Sequence, residues 1–343
     1  MPWIRPKVSG TVPPGRGGHA SCALGSKLYV FGGANRSPEA FKDLWCLQTD
    51  GGNYSWTKEN PKAPEGVQLP ARSGATLTAV GDRLYIFGGQ DPETGICFND
   101  VVVYEPDSQT WDRIAAKGGS PPPRHSHTAC CCHTNRILVF GGSGQTGSPT
   151  NDVWMFDTEL GEWSRPTVKG QAPAPREMHS AVYVEGHGLV IYGGRSDGSS
   201  AVLSDVVVLD IDKLEWAWRA QTKHPRCSHA GAGIGNKKVL FYGGFTGAAV
   251  EGDAVELNLA TRSVRVASVG PDQAKGYHPG ARFAHSAVEM TGSAQQQQVV
   301  VFGGVTPEMD ISDIAVWTEP LGGLPASDFA PKGPAAVPAS DLD

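Results

Sequence analysis

A hydrophobic run ending in two glycines recurs six times along this chain. It reads LYVFGG at 28–33, LYIFGG at 84–89, ILVFGG at 137–142, LVIYGG at 189–194, VLFYGG at 239–244 and VVVFGG at 299–304. The second glycines stand 56, 53, 52, 50 and 60 residues apart. A period of about 50 residues restricts the chain to folds built by repetition, in which each unit is covered by its neighbours. The uneven steps are what insertions into surface loops produce.

Other residues keep phase with the glycines. An arginine precedes each pair, at Arg16, Arg72, Arg124, Arg176, Arg226 and Arg282. Three residues later stands His19, His127, His179, His229 or His285, with Ala75 in the second unit. An aspartate follows each pair, at Asp43, Asp100, Asp152, Asp205, Asp253 and Asp313, and opens an apolar stretch such as DVVVY or DVWMF. Trp56, Trp111, Trp163 and Trp216 close the first four units, and Val264 takes that place in the fifth. Each unit therefore reads as four short strands, one after the arginine, one ending at the glycines, one after the aspartate and one carrying the tryptophan. Glycine at 44 of 343 residues, against a usual ~7%, supplies the many turns this requires. Four strands at this period make a β-propeller blade.

Diglycine, aspartate and spaced tryptophan closely resemble the kelch repeat, and the resemblance covers roughly residues 3 to 318. It implies an all-β, six-bladed kelch β-propeller of four-stranded antiparallel blades. The last unit lacks a fourth strand after Asp313, but the N-terminus offers one. WIRPKVSGTVPPGR, from Trp3 to Arg16, has the Trp-to-Arg spacing of Trp111 to Arg124 and of Trp163 to Arg176. An N-terminal strand is thus expected to close the ring and remove an open edge. The propeller is expected over 1–319. The Ala-, Pro- and Gly-rich segment 320–343 has little to bury and is expected to be a disordered tail, leaving no room for an adaptor domain.

Features found in every blade are expected to be structural, since one site needs only one copy. The glycines fit crowded or positive-φ backbone, the aspartates accept from loop N–H groups, and the tryptophans fill the space between blades. The six arginines admit two readings. They ring the channel mouth and attract an acidic segment, or they bind carbonyls between blades.

The densest group of metal-ligand types is HSHTACCCH at 125–133. Aligned on His127, Cys130 and Cys132 replace hydrophobes such as Val182 and Val184, where free cysteine packs as a small apolar residue. Cys131 faces the other way, toward the channel. Zinc sites need converging ligands, which adjacent strand cysteines do not provide, so neither a metal nor another cofactor is expected. A reactive Cys131 thiol is the alternative reading.

No phosphate loop, HExxH or dinucleotide fingerprint occurs. The plant specifier proteins, kelch proteins that use iron, carry Glu-x3-Asp-x3-His on one loop. Here Glu39 and Asp43 keep the spacing, but Leu47 stands where the histidine should be. His278 is expected to be a solvated loop residue. The chain is therefore not expected to be an enzyme, with a metal-dependent specifier-type lyase as the alternative.

Variable loops remain as site candidates. The loops after the diglycines and the longest entry loops, 57–71 and 265–281, carry Arg36, Phe41, Phe98, Arg195, Phe245 and Tyr277, residue types that anchor interfaces. The resemblance implies a scaffold or adaptor, similar to Rab-effector-like kelch proteins, that binds another protein through this loop face. A structural subunit using the blade edges is the other alternative. A net charge of −6 argues against nucleic acid as partner. No apolar run reaches 18 residues, so no membrane insertion is expected. Seven cysteines with no spaced framework, and no signal-peptide core, suggest a reducing, cytoplasmic setting.

Overall fold

The computed structural model describes residues 3–318, apart from 38, 51, 66–68, 197–200, 270–276 and 292–296. The 320–343 tail, and Lys275 of the last entry loop, lie outside the described residues. Six four-stranded antiparallel sheets form the blades. Blade 3 is typical. Its strands run inside to outside as Thr128–Cys132, Arg136–Phe140, Val153–Asp157 and Glu162–Ser164. The innermost strands neighbour one another round a closed ring, that of the sixth blade meeting that of the first.

The apolar runs before the glycines are second strands buried on both faces, which explains why they do not alternate with polar residues. Leu28 and Val30 face blade 6, while Tyr29 and Phe31 face blade 2. This division holds all round the ring, so six hydrophobic cores each lie between two adjacent blades. The tryptophans belong to these cores, as Trp111 does beside Phe31 and Tyr104.

The ring closes as expected. Trp3–Ile4 is the fourth strand of blade 6, with Trp3 opposite Trp317 and Ile4 opposite Val316. Trp3 stacks on Tyr242 and Trp317 with ring centroids 4.8 and 5.1 Å apart. The same segment then reaches blade 1, where Val8–Gly10 lies parallel to Asn53–Lys58. This second contact is not evident from the repeat. The entry loop expected from 265 starts later, because residues 265–268 continue the fourth strand of blade 5, Ser263–Ser268.

The loop face and its variable rim

The repeated arginines are not at the mouth. All six are buried. In blade 3, Arg124 forks onto Asp152, donating from its two terminal nitrogens to Oδ1 at 2.8 Å and Oδ2 at 2.9 Å, and also to the carbonyl of Gly141 at 2.8 Å. The other five blades repeat the pair: Arg16 with Asp43, Arg72 with Asp100, Arg176 with Asp205, Arg226 with Asp253, and Arg282 with Asp313. Two expectations are corrected together. The arginines do not ring a basic mouth, because a carboxylate and a carbonyl of their own blade consume the guanidinium. The aspartates do not serve mainly as acceptors for loop N–H groups, because the arginine takes both oxygens. Burial raises the carboxyls of Asp43, Asp100 and Asp152, but the facing arginine outweighs it; each ends below the usual carboxylate value, Asp152 at about 2.

The diglycines follow for a steric reason. The N–H of Gly142 donates to the carbonyl of Arg176 in the next blade at 2.9 Å. Gly141 has φ +65, and a Cβ on it would stand 2.8 Å from that same carbonyl. Only glycine lets the backbones meet this closely at positive φ.

The histidines join inner strands across blades. Nε2 of His127 meets Oγ1 of Thr76 at 3.1 Å, His179 meets Thr128 at 2.9 Å, His229 meets Ser180 at 2.7 Å and His19 meets Ser286 at 2.9 Å. Blade 2 has Ala75 in the histidine place, and the position it would reach in blade 1 is Ala20. For His285 the equivalent position is Ala230, and among the described residues its Nε2 is buried without a hydrogen-bond partner. Desolvation, then the neighbouring arginine, holds these imidazoles neutral. His19 and His179 are lowered to about 3, and His127, His229 and His285 lie well below their usual value.

What rims the mouth is a set of isolated bridges between the residue after each arginine and the residue after each diglycine. They pair Gly17 with Ala34, Ser73 with Gln90, His125 with Ser143, Glu177 with Arg195, Cys227 with Phe245 and Phe283 with Val305. These two columns differ in every blade. The rim is therefore sectored, polar at blades 2 to 4 and apolar at blades 5 and 6. In the polar sector, Nε of Arg195 donates to the buried Glu177 carboxylate at 2.8 Å. In the apolar sector the rings of Phe245 and Phe283 lie 6.5 Å apart.

Beside the apolar sector, between blades 5 and 6, lies a groove of about 840 Å³. Phe245, Val250, Pro307, Met309 and Ile311 give it an apolar lining; Glu308, Asp310 and Asp313 bring carboxylates, and Arg5 and Arg282 cations, Arg282 being paired with Asp313. Met309 is 60% exposed. Asp313 is the most accessible repeat aspartate, with 31% of its side chain exposed against 13–19% for the others. Oδ1 of Asp310 is buried with no hydrogen-bond partner among the described residues.

The six loop residues singled out from sequence meet different fates. Phe245 lines this groove. Arg195 sits on the polar rim. Arg36 is exposed but occupied, donating to the carbonyls of Thr306 and Pro307 and, through its backbone N–H, to Asp310 at 3.1 Å. It is a strut between the loops of blades 1 and 6. Phe41 is buried beneath the Arg16 guanidinium, 4.0 Å from ring centre, and is corrected to a structural role. Phe98 lies similarly against Arg72 at 4.4 Å. Tyr277 is half-buried against the core between blades 5 and 6. His278 is half-buried rather than solvated, its ring within 6.4 Å of Trp3 and its Nδ1 accepting from Gly280 N–H. Met309, Asp310, Arg5 and Glu177 were not singled out.

The cysteines and the specifier spacing are also placed. All seven cysteines are free. Burial pushes the thiols of Cys130 and Cys132 up to about 12 and about 11, and that of Cys131 upward, away from the thiolate that reactivity needs. Asp43 is committed to Arg16, and Leu47 is fully buried. Among the described residues no three His, Cys, Asp or Glu side chains gather where a metal ion could be held. Among the described residues no helix is long and apolar enough to cross a membrane.

Comparison with known proteins places the chain. The family model described as "FBX42, beta-propeller domain" matches residues 16–218, and that described as "KLHDC2/KLHL20/DRC7 Kelch-repeats domain" matches 131–318. Among curated proteins, acyl-CoA-binding domain-containing protein 4 of Arabidopsis thaliana is 35% identical over 58% of this chain and 28% of its own length. Host cell factor 1 of Rattus norvegicus is 32% identical over 62% of this chain and 11% of its own. Host cell factor of Drosophila melanogaster is 27% identical over 70% and 18%. The chain thus spans less than a third of each of these relatives. Between them the two family models reach from the first repeated arginine to the last described strand, and the chain belongs to the kelch-repeat β-propeller family.

Proposed function

We propose that this propeller is a protein-interaction scaffold that binds a partner segment on its loop face, in the groove between blades 5 and 6. The observation that carries this reading is the break in the rim's symmetry. Where every blade repeats the same buried Arg–Asp pair, blades 5 and 6 alone pair Cys227 with Phe245 and Phe283 with Val305, beside an open groove. Half-buried aromatic side chains and an exposed methionine beside a concavity are what anchoring residues of a partner engage. The acidic partner expected from the sequence drew its attraction from the arginine ring. With those guanidiniums paired, Arg282 neutralises Asp313, and the groove's remaining carboxylates Glu308 and Asp310 outnumber Arg5; they favour an extended segment with an apolar residue beside a lysine or arginine. Free, largely buried cysteines are compatible with a reducing, cytoplasmic setting.

The test compares recovery of partners from native lysate by the wild type and by a Phe245→Ala, Met309→Glu variant, after both are shown to melt alike. Loss of specific partners from the variant supports the groove. Recovery of the same partners by both proteins removes it as the interface.

A further inference from the structure

In blades 1 to 4 the linker that enters the blade covers its outer edge, and among the described residues blade 5 lacks this cover. In blades 2, 3 and 4 the arriving linker lays a lysine in parallel on the fourth strand: Lys62 on Thr110, Lys117 on Glu162 and Lys169 on Glu215. The bonding is the same each time. The lysine N–H donates to the carbonyl of a turn residue, Gln109, Gly161 or Leu214, at 2.8 Å. The lysine carbonyl accepts from the N–H of Trp111, Trp163 or Trp216 at 2.8, 3.0 and 3.1 Å. The three turn residues have φ of 53, 64 and 50. In blade 1, Val8–Gly10 does the same work with a three-residue ladder.

Blade 5 presents the same edge, and no linker lies on it among the described residues. Arg262 takes the turn position with φ 54, and Val264 takes the tryptophan position, opposite Leu257 as Trp216 is opposite Leu209. The reason for the vacancy is linker length. Only residues 222–225 separate the end of the fourth strand of blade 4 at Gln221 from Arg226, whereas 165–175 separate Ser164 from Arg176. The short linker is also held back on its own blade, where Tyr192 donates to the His224 carbonyl and Thr222 N–H donates to Ser204. Among the described residues no segment runs along Ser263–Ser268. Val266 and Val269 are each 42% exposed there.

We propose that the outer edge of blade 5 is a strand-addition site for an extended segment of a partner protein, bound in parallel in the register the linkers use on the other blades. An open strand edge offers unpaired N–H and C=O groups that natural sheets normally cover, and strand addition is an established way of using them. The covered edges define the occupant. The residue that follows Lys117 is Gly118, with φ +74, and a Cβ on it would stand 2.5 Å from the Trp163 carbonyl. Gly10, φ +80, would put a Cβ 2.2 Å from the Trp56 carbonyl, and Gly170 has φ +82. Lys62 is followed by Ala63, so blade 2 holds its linker without that turn. The favoured occupant is thus an extended segment with a glycine directly after the bridging residue. This site is on the ring's circumference and does not depend on the loop-face groove.

The chain carries its own probe. A peptide of residues 165–175, RPTVKGQAPAP, copies the linker that covers blade 4. Blade 4 is already occupied in the intact protein, which leaves blade 5 open. Binding is followed by hydrogen exchange at backbone amides 262–266. The expected result is saturable slowing of exchange confined to that stretch. A peptide carrying Gly170→Val should bind about tenfold more weakly, since it loses roughly one backbone hydrogen bond. A Val264→Pro protein, which loses only the outward N–H of an edge strand, should bind weaker by a similar factor. If that variant does not melt like the wild type, the wild-type exchange data with the two peptides decide alone. Unchanged exchange at 262–266 overturns the proposal, as does equal protection by both peptides. So does sedimentation showing that a second copy already occupies the edge.

Discussion

His285 and Ala230 show how each copy of a repeated residue depends on its neighbour. Four histidines reach a serine or threonine one position past the histidine place of the neighbouring blade, and where the reach would end on Ala20 the histidine itself is replaced by Ala75. Among the described residues His285 keeps the imidazole but meets Ala230 where the others meet a hydroxyl. Ala230→Ser restores it, and should stabilise the protein by about 0.5–1.5 kcal/mol in chemical denaturation; unchanged or lower stability contradicts this pairing. The histidines also set the acid response. Their folded values are depressed, so the folded state refuses protons that the unfolded chain accepts below about 6.5. Their contribution is complete above that pH and is lost as pH falls, down to about 3 for His19 and His179. Each costs up to about 1.4 kcal/mol per pH unit over that window. The carboxylate of Asp152 adds its own loss only below the usual carboxylate range, as pH falls toward about 2. The melting temperature should therefore already fall between pH 6.5 and 5. His179→Gln should flatten that slope, and an unchanged slope contradicts the assignment.

At the scale of the element, the N-terminal strand carries more than its length suggests. Trp3 fills the core between blades 5 and 6, and Val8–Gly10 seals the edge of blade 1, so ten residues tie three blades together. Trp3→Ala should cost roughly 3–5 kcal/mol by opening a cavity. Deleting residues 1–10 should lower the melting temperature further; an unchanged melt would mean that ring closure does not depend on this strand. The four strands of each blade and this closing strand were legible in the sequence because they follow from short-range pattern and spacing. The Arg–Asp pairs were not. Their partners lie 27 to 31 residues apart, at the entries to different strands of one blade, and both columns repeat in phase without saying that they meet. The blade-edge contacts of Lys62, Lys117 and Lys169 were missed because a single bridge leaves no periodicity to read.

At the scale of the whole molecule, repetition and its failures divide the labour. The columns that repeat, arginine, aspartate and glycine, are spent on holding six blades together. The two columns beside them, beginning with Gly17 and Ala34, vary in every blade and rim the mouth. Comparing copies pointed to the loop face and chose Phe245, which lines the groove, and Arg195, which sits on the rim. It also chose Phe41 and Phe98, which the neighbouring guanidiniums hold as packing, because exposure cannot be read from residue type alone. Met309 and Asp310 went unnoticed although they lie in the loop after the sixth diglycine, because neither an arginine nor an aromatic ring marks that loop. The most direct measurement is site-specific photo-crosslinking in cells, with the crosslinker at position 309 in the groove or, as a control, at the exposed Leu160 on the opposite face. The account predicts discrete protein adducts from position 309, reduced by Phe245→Ala and absent from position 160. Equal adducts from both positions, or adducts from 160 alone, would contradict it.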